Sequence, residues 1–206
     1  MKIITYQRKC VVNKLLKYGE YKITDKSQMK TLNDITKMMP GENWQKAYDY
    51  MFDRMKKKIK NKRDFDDDII APIWGWYKVE DPKKINHDNK GLYRITLDIK
   101  DSKVLLSDFG LYECFAISSI GCIYYGDKGD QIAKELYKRE KEEGRECIYK
   151  VYDKMINKNH LKHAEYIQAA FFKIKMKDVI SIEKVTKEDY KGHIPFYDKR
   201  YKQNRL

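Results

Sequence analysis

Four cysteines in 206 residues, none of them in a Cys-x-x-Cys pair, leave neither a zinc knuckle nor a disulfide framework to hold this chain together. Cys10, Cys114, Cys122 and Cys147 read as reduced thiols. Long hydrophobic runs are missing too: the longest uncharged stretch, Cys114 to Gly126, falls short of the roughly 18 apolar residues of a membrane span. The N-terminal residues carry no apolar stretch of the signal-peptide kind. The expectation is a soluble, cytoplasmic protein with no membrane partner.

The standard phosphate and metal motifs are absent. There is no Gly-x-Gly-x-x-Gly and no Gly-x-x-x-x-Gly-Lys, so the Rossmann and P-loop cradles are excluded. His-Glu-x-x-His and Gly-x-Ser-x-Gly are missing as well, which removes the common zinc hydrolases and α/β hydrolases. His160-x-x-His163 places two imidazoles at helical spacing but finds no third ligand, so no metal is expected. Arginine is scarce, at 8 of the 44 basic residues. The formal net charge of +13 points to a polyanionic partner. Base-reading proteins lean on the arginine fork, however, and abundant Lys, Ile, Asn and Tyr also follow from an A+T-rich coding sequence.

What is present suffices for a core: 42% apolar and 13% aromatic residues in a chain of single-domain length. Ile3 to Gln7 reads as a strand, and Val11, Val12, Leu15 and Leu16 as a helix stopped at Gly19. Residues 43–60 carry Trp44, Ala47, Tyr48, Met51, Met55 and Ile59 at steps of three and four, which predicts the clearest helix. Ile69 to Tyr77 reads as a strand and Pro82 to Gly91 as a loop. Leu92 to Ile99 alternates, turns at Asp101-Ser102 and resumes at Val104, the pattern of a hairpin. Residues 111–124 suggest a short helix and connector, and 128–158 a helical stretch broken at Gly144. Ile167 to Ile174 and Val179 to Val185 are the last strands. Together these predict one α+β domain over residues 1–189, a mixed, mostly antiparallel sheet flanked by helices, with a basic tail at 190–206.

Several groups stand out chemically. Trp74, Trp76 and Tyr77 put three rings within four residues around Gly75, and on a strand the two tryptophans share a face. That pattern builds either a core wall or a stacking platform for a base. A glycine inside a strand marks close approach by a ligand or by backbone. Ser107-Asp108 ends an apolar strand, where the pair can cap a helix or offer a hydroxyl and a carboxylate. Glu165 and Gln168 enter a late strand, where Gln168 can donate and accept toward a ribose or satisfy backbone groups. The run Lys56, Lys57, Lys58, Lys60, Lys62 and Arg63 and the tail residues Lys199 and Arg200 are the candidate contacts to DNA or RNA phosphates. Four acidic residues after the run screen it at a Debye length of about 8 Å.

Thr5-x-Gln7 with Leu15, Leu16 and Gly19, the helix motif Ala47-Tyr48-Asp49-Tyr50-Met51, Pro72-Ile73-Trp74-Gly75-Trp76, Leu105-Leu106-Ser107-Asp108-Phe109 and Gln168-Ala169 together resemble an uncharacterised bacterial domain family of about 200 residues. More distantly, a first strand bearing Thr-x-Gln, a helix ending in Leu-x-x-Gly, aromatic-rich strands and a late strand entered by Gln resemble the ADP-ribosyltransferase-type fold. That second resemblance implies NAD as substrate. Gln7, Tyr77 and Gln168 would then be the counterparts of the residues that hold the nicotinamide ribose, line the pocket and orient the ribose hydroxyl.

Two functions from different classes follow. One is an ADP-ribosyltransferase-like enzyme acting on a nucleic acid or protein. Thr5, Gln7, Trp74, Trp76 and Tyr77 would bind the cofactor, and Gln168, Asp108 and Glu165 would be catalytic. The other is a non-catalytic adaptor binding a nucleotide or nucleic acid, of a kind used in phage defence or counter-defence.

Overall fold

A computed structural model of the protein describes residues 1–29, 44–59, 65–79, 81–110, 112, 134–135, 138–144, 150, 153, 156 and 158–192. Lys60, Lys62, Arg63, Lys199 and Arg200, and most of the 111–124 segment, lie outside these residues. In chain order the named elements are β1 (Lys2–Gln7), α1 (Lys9–Tyr18), β2 (Glu20–Lys22), α2 (Trp44–Lys58), β3 (Ile73–Lys78), α3 (Pro82–Asp88), β4 (Tyr93–Asp98), β5 (Leu105–Asp108), α4 (Lys158–His163), β6 (Ile167–Phe171), β7 (Lys173–Lys175) and β8 (Val179–Lys184). The fold is α+β. A six-stranded sheet has the order β5-β6-β3-β1-β4-β8, β2 and β7 form a small second sheet, and every pairing among the described strands is antiparallel.

Local chemistry sets the elements. In α1, Val11, Val12 and Leu15 recur at helical spacing and are buried. Gly19 ends the helix at φ +75°, where its N–H donates to the Leu15 carbonyl. Residues 82–88 form a helix, not the expected loop. The Asp81 side chain accepts from the Lys83 N–H, and Pro82 fills the first helical position, where a missing N–H costs nothing.

The expected hairpin from Leu92 to Leu106 is also corrected. β4 pairs with β1 and β8, whereas β5 pairs with β6 at the far edge. Between them the chain makes a short 3-10 turn at Asp101–Lys103. That connection constrains the sheet's shape. β4 and β5 lie four places apart, about 19 Å, and Ile99 and Leu105 differ by five residues along the strands, about 16 Å. A flat sheet would separate them by about 25 Å, yet six extended residues reach at most about 21 Å. The sheet must therefore coil, with the connection crossing its inner side, and Ile99 and Val104 are indeed core residues.

Strand alternation sorts the two faces. Ile3, Thr5, Ile73, Ile95, Leu97, Ala169 and Phe171 share the inner face and are almost fully buried. α1 packs there with β2 and β7. Ile59, just past α2, lines a groove with Ile99, Phe171 and Phe172. On the outer face α2 brings Tyr48 against Trp74, with ring centroids 5.6 Å apart. The other half of that face lies under α3, where the Tyr6 hydroxyl donates to Asn86 Oδ1 at 2.7 Å. Burial pushes the Tyr6 phenol up to about 12, so it remains a neutral donor.

An ion cluster ties the small sheet to the turn before β3. Asp66 accepts from Lys173 Nζ at 2.6 Å and from Lys22 Nζ at 2.7 Å. These two hydrogen bonds hold its carboxyl below the usual range. A depressed carboxyl stabilises the fold above its unfolded pKa and loses that contribution as pH falls through the folded value. Asp66→Asn is expected to cost about 1 kcal/mol at pH 7. Urea unfolding at pH 7 and at a series of lower pH values checks this: the difference from the parent should shrink as pH falls below about 4 and through the lowered folded value, and an equal difference at every pH would refute it.

Candidate functional site

The outer face of β5, β6 and β3 gathers the unusual chemistry. Trp76 pairs with Gln168 across β3 and β6, and Gln168 with Ser107 across β6 and β5, so the three side chains stand in one row on one face. Trp74 lies two residues along the same face. Trp76 meets the edge of Phe109 at 5.1 Å between centroids. Trp74 is flanked by Tyr48 and by Tyr112, the latter at 4.9 Å. Burial pushes the Tyr48 phenol up to about 12. The tryptophans therefore form a packed aromatic wall and remain half-exposed, with Trp76 the less enclosed by rings.

Three polar atoms on this face are buried with no hydrogen-bond partner among the described residues: Trp74 Nε1, Ser107 Oγ and Gln168 Oε1. Each such atom in a native protein costs about 1–3 kcal/mol and needs an explanation. Their capacities differ. The indole can only donate, the amide oxygen can only accept, and the hydroxyl can do both.

At the end of the same strands, Asp108 Oδ2 lies 2.9 Å from His160 Nε2, and both side chains are largely buried. Alternation turns Asp108, opposite Ile167, to the face away from Ser107 and Gln168. α4 presents the imidazole. Lys78, just past an irregularity in β3, donates to the Ala164 carbonyl at 2.6 Å and so fastens the residue after α4 to the sheet. The sequence offers His160 only as half of a two-imidazole pair with His163, and nothing local signals a partner 52 positions away.

The other expected site residues are dispersed. Thr5 is fully buried on the inner face; its hydroxyl donates to the Trp74 carbonyl at 2.7 Å and accepts from Gln7 Nε2 at 2.7 Å. Gln7 thus lies on the opposite face from Trp74, Trp76 and Gln168 and is not brought together with them. Tyr77 is 44% exposed and Glu165 is exposed in the turn before β6. In the described part of the basic run, Lys56 pairs with Asp53 at 2.6 Å and lies over the Phe52 ring. Lys58 donates to the Val104 carbonyl, and burial pulls its pKa down. Lys57 is exposed. Among the described residues no helix is long and apolar enough to cross a membrane.

Comparison with known proteins adds one finding. The model of a domain of unknown function, DUF3841, matches residues 2–119. That span contains β1 to β5 and ends before β6 and Gln168. No curated protein and no solved structure matches significantly.

Proposed function

Because the chain belongs to this DUF3841 family, whose description assigns no activity, we propose its function from the site itself: the outer face of β3, β6 and β5 binds a nucleotide. The observation that carries the reading is the coincidence of three buried, unpartnered polar atoms with a half-buried tryptophan row. A nucleotide base supplies what that face lacks, a flat ring for Trp76 and edge groups for the polar atoms. Trp76→Ala is expected to weaken nucleotide binding by about 1–3 kcal/mol. Titration of NAD and AMP against intrinsic fluorescence, with thermal melting as a folding control, measures it. Unchanged affinity in a folded variant would make the ring a core residue only.

A second reading, ADP-ribosyl transfer from NAD to a nucleic acid or protein, is favoured by the Asp108–His160 pair. In it Asp108 with His160 manages the acceptor's proton, whereas Gln168, turned to the other face, takes no part in that proton transfer. Nicotinamide released on incubation with NAD, and lost in Asp108→Asn, supports transfer. Binding without release supports the adaptor.

A further inference from the structure

We infer that the ligand of this face carries a hydrogen-bond acceptor beside an N–H donor, the edge of a primary amide or of an aminopurine. The inference rests on the nucleotide-binding reading and follows from the three unpartnered atoms. Trp74 Nε1 can be satisfied only by an acceptor and Gln168 Oε1 only by a donor. Ser107 Oγ, in a residue with no exposed surface, satisfies either. On adjacent antiparallel strands the diagonal positions 74 and 168 lie about 7–8 Å apart at their Cα atoms, and Ser107 faces Gln168 directly. All three atoms are closed to solvent in this structure, so one planar group reaches them only when the half-buried Trp74 and Gln168 side chains shift to admit it. A carboxylate or a bare ring nitrogen, with no donor, leaves the Gln168 carbonyl unpaired. The nicotinamide carboxamide and the adenine amino edge share the required pattern.

Two matched ligand pairs test this in the full chain. Nicotinamide mononucleotide is compared with nicotinic acid mononucleotide, and AMP with purine riboside monophosphate, which lacks the amino group. The donor-bearing member of at least one pair is expected to bind about tenfold more tightly, since a site built to pair a donor rejects the analogue without it; which pair discriminates identifies the amide or the aminopurine. Gln168→Leu should remove that preference, a result that a merely structural glutamine would not give. Ser107→Ala loses no observed hydrogen bond and keeps the melting temperature, so it serves as a folded second variant with weaker binding. Equal affinity within both pairs, with binding retained, overturns the inference and leaves the nucleotide reading standing. No binding by any of the four to the folded protein overturns both.

Discussion

A fragment ending at Ser119, where the family match ends, is expected to show no cooperative unfolding transition. The reason is topological. β6 stands between β3 and β5, so removing it deprives β5 of its strand partner and opens one edge of β3. Losing β8 opens β4 in the same way. The core also loses Ala169, Ala170, Phe171, Phe172 and Ile174, all nearly fully buried. Truncating a single buried phenylalanine costs about 3–5 kcal/mol against a total stability of about 5–15 kcal/mol. Circular dichroism melts of the 1–119 and 1–192 fragments check the expectation. A sharp transition in the shorter fragment would show that the matched segment is a folding unit by itself.

The largest effect from one small substitution is expected at Gly75. A Cβ there would stand 2.7 Å from Ile3 Cγ2, 2.9 Å from the Ile4 carbonyl oxygen and 3.3 Å from Phe171 Cε1. Ile3 could rotate, but the Ile4 oxygen belongs to the central strand β1 and moves only with the sheet. Gly75→Ala is therefore expected to destabilise by about 2–3 kcal/mol, at the upper end of overpacking costs. Gly75→Val should cost more. Denaturant midpoints measure both, and parent-like stability in Gly75→Ala would mean that β1 and β3 can separate locally. This glycine marks approach by backbone and core side chains on the inner face, so it lends no support to a ligand on the outer one.

The pattern of legibility follows from what is local. Gly19 and the 11, 12, 15 spacing disclosed α1 because both act within one turn of helix. The loop reading of Pro82 to Gly91 rests on composition alone, whereas α3 is started by the Asp81 cap and by Pro82 at the first helical position. The hairpin reading of 92–106 failed for another reason. Alternation shows that β4 and β5 are strands but cannot name their partners, and β1, β6 and β8 all lie far away in the chain. The site divides along the same line. That Trp74 and Trp76 share a face follows from a period of two. That Gln168 stands opposite Trp76 depends on register, and the same register sets Gln7 on the other face, because Ile4 pairs with Trp76.

Crystal structures of the protein with AMP and with nicotinamide mononucleotide decide whether the Trp74, Trp76, Gln168 and Ser107 face is a nucleotide site. In at least one of them a base or carboxamide ring should lie against Trp76, with its edge about 2.9 Å from Gln168 Oε1 and from Trp74 Nε1. Ordered water alone on those atoms in both structures, or both nucleotides bound elsewhere, would rule the site out.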